Sequence, residues 1–221
     1  MFAYQFPEPE KADEEGFLAA SKDLNLQLLI DGYMQGAFPW FKRGRFFYWF
    51  SPDPRMVLFP NEFRCSKSLR RTIKSGKYEV RIDTCFQQVI TQCAEVFRIF
   101  QNGSWITKDY IEAYTEMHGI GLAHSFETFF EGQLVGGLYG LSLGAAFFGE
   151  SMFHTMSDAS KVAFAHLVDF CKRNGIDIID AQQETPHLAS LGAKPIPRSD
   201  FLQLLKISNE KGTLFSKWTN L

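Results

Sequence analysis

The sequence predicts an α+β chain, with a small N-terminal domain over residues 1–61 and a mixed-sheet domain over residues 62–221. Three observations carry this expectation. The chain has 221 residues, 45% hydrophobic and 22% charged, which is enough to bury a sizeable core and too apolar for disorder. Residues 123–130 and 134–149 run as two apolar strands about a Glu131-Gly132 turn. A long helical stretch and a short strand at 176–179 follow, an order that does not suit a doubly wound sheet.

The elements follow from local pattern. Residues 7–16 are polar and read as a loose lead-in. Asn25 caps a helix to Gln35, with Leu26, Leu29, Ile30 and Tyr33 at helical spacing and Gly36 as the stop. An aromatic run, Phe46 to Phe50, precedes the turn Ser51-Pro-Asp-Pro-Arg55 and a strand at 56–59. Ser66 caps a helix over 67–75, and Tyr78, Val80 and Ile82 alternate as a strand. Thr84 to Gln87 has the capping-box pattern, followed by a stripe of Phe86, Val89, Ile90, Cys93 and Phe97. Thr107 opens a helix to Gly119 with Ile111, Tyr114 and Met117 inward. Ser157 or Asp158 caps the helix that ends at Gly175, and Ser199 caps the last one.

Composition excludes several classes. The net charge is −2, but it hides an acidic start (Glu8, Glu10, Asp13, Glu14, Glu15) and a basic block from Arg64 to Lys77 that has no acid. The four cysteines, Cys65, Cys85, Cys93 and Cys171, include no CxxC pair and have no finger-like histidine partners, so reduced thiols and no metal are expected. The opening residues lack a basic segment followed by an apolar run, so a cytoplasmic chain is expected. Gly132 to Gly149 is uncharged, but six glycines suit buried strands better than a spanning helix. There is no P-loop, no G-x-G-x-x-G, no G-x-S-x-G and no HExxH.

Four constellations remain. Lys67, Arg70, Arg71 and Lys74 share one helix face, an arrangement that repels itself and suits a phosphate backbone. Asp180 ends an apolar strand with Gln182 two residues on, so a carboxylate and an amide point the same way. Glu150 closes the Gly-rich strand, where a part-buried carboxylate needs a partner, and Met152 and Phe153 lie beside it. Trp49 and Trp105 offer flat faces for base stacking or for the core. His187 is the histidine nearest in sequence to Asp180 and Gln182.

Together these motifs resemble the bacterial leucyl/phenylalanyl-tRNA–protein transferases. The matching segments include Gly36-Ala-Phe-Pro-Trp-Phe41, Trp49-Phe-Ser-Pro-Asp-Pro-Arg55, Ser66-Lys-Ser-Leu-Arg-Arg71, Trp105-Ile-Thr107 and Ala123-His-Ser125. Beyond them come Leu134-Val-Gly-Gly-Leu-Tyr-Gly140, Phe148-Gly-Glu-Ser-Met-Phe153, Asp158-Ala-Ser-Lys161, Asp180-Ala-Gln182 and His187-Leu-Ala-Ser-Leu-Gly-Ala193, all in the family's order. The resemblance implies a GNAT-like C-terminal domain. It also implies transfer of Leu or Phe, sometimes Met, from tRNA to an N-terminal Arg or Lys of a protein, marking it for degradation. By the same resemblance Trp49 and Trp105 border the terminal adenosine, and Leu138, Phe147, Met152 and Ile179 line the aminoacyl pocket. Glu150, Asp180 and Gln182 form the polar centre, and Lys67, Arg70, Arg71 and Lys74 hold the acceptor stem.

The chain departs from the family pattern at Ser21-Lys-Asp23, at Phe50, at Leu138 and around Phe97 to Gln101. An aminoacyl ester is already activated, so neither cofactor nor metal is expected. The expected partners are aminoacyl-tRNA and proteins beginning with Arg or Lys, with no membrane, and the chain is expected to be a monomer. A ligase acting on a cell-wall peptide amine, or a module that binds tRNA without catalysis, would share parts of this pattern.

Overall fold

The computed structural model describes residues 2–95 and 105–220. Among these, the strands form two sheets. A three-stranded sheet is built from β1 (Phe17–Ser21), β3 (Phe46–Phe50) and β2 (Phe38–Arg43), in that order. Its aromatic strands were legible only as an aromatic run, and β1 was not anticipated. The helix α1 (Leu26–Met34) packs beside it, with Asn25 Oδ1 accepting from the Leu28 amide at 2.9 Å.

The second sheet has seven strands among the described residues. Its order is β10 (Lys194–Ile196), β4 (Arg55–Leu58), β9 (Ile178–Gln182), β8 (Ala146–His154), β7 (Gln133–Leu143), β6 (Ala123–Phe130) and β5 (Glu79–Ile82). Every pairing is antiparallel except β8 with β9, which α5 (Ala159–Asn174) connects. The sheet is therefore mixed, and the chain is α+β, as expected. The strand β4 lies before the expected division at residue 61 and yet is an inner strand of the larger sheet.

Alternation sorts the residues onto two faces. Phe147, Ile179 and Leu138 join the apolar cluster under α5. Their neighbours Phe148, Ile178 and Tyr139 join the cluster formed with α1, α3 (Phe86–Glu95) and α4 (Lys108–Gly119). Phe86, Val89, Ile90 and Cys93 are buried as the stripe predicts, whereas Phe97 lies outside the described residues. On α4, Tyr114 and Met117 are buried and Ile111 is half-buried.

Four local expectations are corrected. The strand expected at 134–149 is two strands, because Gly144 turns the chain at φ +56°, and β8 runs on to His154. The Thr84 hydroxyl caps no helix; it donates to Glu127 Oε2 at 3.0 Å, a buried carboxylate with a stronger claim on it. The last helix, α7 (Arg198–Asn209), has Pro197 rather than Ser199 at its N-cap. The strand expected at 176–179 is β9, which carries Asp180 and Gln182 inside the sheet. Among the described residues no helix is long and apolar enough to cross a membrane.

Candidate active site

The site lies where the larger sheet comes apart. The parallel pairing of β8 and β9 runs from Ala146↔Ile178 to Phe148↔Asp180 and stops there. Beyond that point both strands are bulged. Gly140 faces Gly149 and Tyr139 faces Ser151, which leaves Glu150 as the extra residue of β8. Val57 faces Asp180 and Met56 faces Gln182, which leaves Ala181 as the extra residue of β9. A bulge re-aims side chains out of the two-residue alternation. Gln182 completes the distortion at φ +61°. A cavity of about 720 Å³ opens at this point, between β8, β9, α5 and the tip of the smaller sheet.

Glu150 is at its polar centre. Its Oε1 accepts from Tyr33 Oη at 2.7 Å and from Gln182 Nε2 at 2.9 Å, and Tyr114 Oη lies 3.1 Å from Oε2. The two phenol oxygens are themselves 2.5 Å apart. Tyr33, Tyr114 and the carboxyl group therefore make three oxygen–oxygen contacts, and the two phenols supply only two protons. An ionised Glu150 leaves one contact without a proton, and a protonated one fills all three. Burial also disfavours the charge and pushes the Glu150 carboxyl up to about 7, against the stabilising bonds from Tyr33, Tyr114 and Gln182. Burial and the Glu150 charge hold both phenols well above their usual range, so they stay proton donors. The Gln182 amide nitrogen is occupied by Glu150, and no protein donor among the described residues occupies its carbonyl oxygen.

Asp180 has a different task. Its Oδ1 accepts from Arg55 Nε at 2.9 Å and its Oδ2 from Arg55 Nη2 at 2.7 Å, and both side chains are fully buried. Oδ1 also accepts the Gln182 backbone N–H at 2.9 Å. The guanidinium lies between the rings of Phe38 and Phe201, 4.8 and 4.5 Å from their centroids, and donates to the Gly36 carbonyl at 3.3 Å. Asp180 thus holds Gln182 by its backbone while its own charge is neutralised.

Leu138, Phe147, Met152 and Ile179 all line the cavity, with Phe164 and Leu167 of α5 beside them. Trp105 lines it too, its ring edge-on to Tyr110 at 5.3 Å. Trp49 does not. It is fully buried on β3 of the smaller sheet, its Nε1 bonded to Ser21 Oγ at 2.9 Å and its ring against Phe6. The second tryptophan on the wall is Trp40. It is the extra residue of a third bulge, since Pro39 faces Trp49 and Phe41 faces Tyr48. Pro39 beside it, which supplies no amide to the ladder, was the sequence signal of that irregularity.

The cationic residues Lys67, Arg70, Arg71 and Lys74 are exposed on α2 (Lys67–Lys74), capped by Ser66 Oγ on the Leu69 amide at 3.1 Å. No carboxylate among the described residues pairs with them within 4.0 Å. Thr72 Oγ1 donates to Asp158 Oδ2 at 3.4 Å, which ties this helix to the cavity wall. His187 also lines the cavity; burial, then Lys161 and His154, hold its imidazole below its usual range.

A profile described as leucyl/phenylalanyl-tRNA protein transferase matches residues 57–206, and the profile of that enzyme's N-terminal domain matches residues 22–53. The chain belongs to the leucyl/phenylalanyl-tRNA–protein transferase family. It is 49% identical to the leucyl/phenylalanyl-tRNA–protein transferase of Myxococcus xanthus over 97% of this chain and 92% of that protein. The protein of the same name from Dechloromonas aromatica is likewise 49% identical, again over 97% and 92%. Among solved structures, an aminoglycoside acetyltransferase from a soil metagenome superposes with a TM-score of 0.41 at 16% identity, covering 66% of this chain and 97% of that one.

Two properties of this transferase-family site can be measured directly. Arg55→Met or Asp180→Asn leaves a buried charge unpaired and is expected to cost about 3–5 kcal/mol in urea denaturation. Arg55→Met combined with Asp180→Leu is expected to recover most of that loss. A double variant no more stable than the single ones would show that the pair is not coupled.

The Glu150 carboxyl has a reference value of 4.5 and is raised to about 7 by burial. Between those values the folded chain binds more protons than the unfolded chain, so stability is expected to fall as pH rises through the window. Glu150→Gln is expected to flatten that part of the profile. Identical pH slopes for the two proteins would mean that Glu150 titrates normally.

Proposed function

We propose that this chain transfers Leu or Phe from aminoacyl-tRNA to the α-amine of proteins that begin with Arg or Lys, which marks them for degradation. The observation that carries the reading is the Glu150–Gln182 pair, joined at 2.9 Å across the opening between β8 and β9 and next to an apolar cavity. The Arg or Lys acceptor and the degradation signal come from the family resemblance.

The reaction needs little else. The amine attacks the ester carbonyl, the bond to the ribose oxygen breaks, and the proton lost by nitrogen leaves with that oxygen. An α-amine of pKa about 8 is roughly one-tenth neutral at pH 7. Placing it on the ester can contribute about 7–11 kcal/mol. The Gln182 carbonyl, which no protein donor among the described residues occupies, suits an amine N–H, and the orientation of that amide follows from Glu150 and Asp180. A carboxyl near 7 is closely matched to an amine near 8, so Glu150 exchanges a proton with it at little cost. With Asp180 paired to Arg55, Glu150 is the carboxyl group at the opening that a cationic N-terminus would meet.

Leu138, Phe147, Met152 and Ile179 suit an apolar aminoacyl side chain, and Trp40 and Trp105 suit a terminal base. Arg70, Arg71, Lys67 and Lys74 suit the phosphates of the acceptor stem.

The decisive assay uses the purified chain, labelled Leu-tRNA or Phe-tRNA, and one protein beginning with Arg and another beginning with Ala. Label is expected on the Arg protein alone. Gln182→Ala is expected to slow transfer roughly hundredfold with tRNA binding unchanged; a full rate would end the role given to Gln182. Trp40→Ala is expected to raise KM for aminoacyl-tRNA roughly tenfold. Trp49→Phe is expected to lower the melting temperature and leave KM unaltered. The reverse pattern would return the stacking role to Trp49.

A further inference from the structure

We infer that Trp218 is a specificity-determining positioning residue, which fixes the depth of the aminoacyl pocket by bracing the Phe147 ring from behind. The inference rests on the reading that Phe147 lines that pocket.

After α7 the chain recrosses the larger domain as a strap that lies outside the matched residues 57–206. Lys211 pairs with Asp177, and the Gly144 amide donates to Thr213 Oγ1 at 2.8 Å. Ser216 passes so close to Gly121 that a Cβ there would stand 2.9 Å from its nitrogen. The strap then delivers Trp218 into the cluster under α5, where it is 1% exposed.

Trp218 is held by a backbone bond and by the rings around it, while its buried indole N–H has no hydrogen-bond partner among the described residues. Its backbone amide donates to Asp83 Oδ2 at 2.8 Å. The same oxygen bonds His124 Nδ1 at 2.8 Å, and that imidazole stacks on the indole at 3.6 Å between centroids and 6° between planes. Phe170 of α5 stacks nearby at 4.2 Å and 22°. The Phe126 and Phe147 rings complete the surround at 6.2 and 6.1 Å.

Phe147 is thereby wedged. On β7 it meets Gly140, where a Cβ would stand 2.6 Å from the ring, and on another side it meets the indole. Close-packed interiors transmit changes of volume. A smaller residue at 218 lets Phe147 relax away from the cavity, and a deeper pocket favours the larger side chain of Phe over Leu.

The test uses the full chain. Trp218→Phe and Trp218→Leu are compared with wild type in the ratio of kcat/KM for Phe-tRNA to that for Leu-tRNA, on one protein beginning with Arg. The ratio is expected to rise roughly fivefold, with KM for the acceptor protein unchanged. Lost stability lowers both numbers together and leaves their ratio alone, so a purely structural role does not produce this shift. Phe147→Leu is the control on the pocket itself. If it moves the ratio and both Trp218 variants leave it at the wild-type value, the inference about Trp218 fails while the pocket stands. If none of the three moves it, both fail.

Discussion

The buried Arg55–Asp180 ion pair is the constraint on which the rest of the site depends. It joins β4 to β9 and reaches the start of β2 through Gly36 and Phe38 and the last helix through Phe201. Burying two charges is costly, and well-packed apolar residues of similar volume often serve stability as well. What apolar residues cannot supply is direction. The bidentate geometry fixes the Asp180 carboxylate, whose Oδ1 then takes the Gln182 amide. That bond holds Gln182 at a positive φ where a side chain is ordinarily unfavourable. The ion pair therefore acts on the amide that faces the opening through one hydrogen bond.

The second constraint is the number of protons available to Glu150. A carboxyl group surrounded by two phenols and an amide would ordinarily be a well-solvated anion. Here the two phenols are also bonded to each other, so they cannot both be spent fully on the carboxylate. Burial and this shortage act in the same direction. Burial, against the bonds the carboxylate accepts, pushes the group up to about 7, near the range of a protein N-terminus. Tyr33 comes from α1 and Tyr114 from α4, so the property is set by packing between two helices distant in the chain rather than by any local motif.

This explains what the sequence could reveal. Apolar runs about the Glu131-Gly132 turn made the hairpin strands legible, alternation at Tyr78, Val80 and Ile82 did the same for β5, and Asn25 and Ser66 were legible as caps whose side-chain oxygens accept from the Leu28 and Leu69 amides. Thr84 shows the opposite case, since Glu127 arrives from a distant strand and takes the hydroxyl. Leu138, Phe147, Met152 and Ile179 were reached through resemblance and do line one cavity. Trp40 was missed in favour of Trp49, because only a bulge turns the former to the cavity, and bulges leave no periodic trace. Tyr33 and Tyr114 were read as core apolar residues, which their rings are; the roles of their hydroxyls depend on a residue more than thirty positions away. Arg55 ended a turn rich in proline, and nothing local signals its partner across 125 residues of chain.

The bulges also resolve a geometric problem. Strict alternation puts the apolar pocket on the α5 face of the sheet and the Tyr33–Tyr114 pair on the other face. A continuous sheet would keep the Leu138, Phe147 and Ile179 side chains and the Tyr33–Tyr114 pair on opposite sides of a wall of backbone. Ending the β8–β9 pairing at Phe148↔Asp180 removes that wall, and the extra residues at 150 and 181 turn the strands apart. Glu150 can then bond to tyrosines of one face while it borders a cavity that also reaches Leu138, Phe147 and Ile179 of the other. On the function proposed above, the sheet is interrupted where the two halves of the substrate would meet, and the ion pair beside it keeps the last paired residue of β9 fixed.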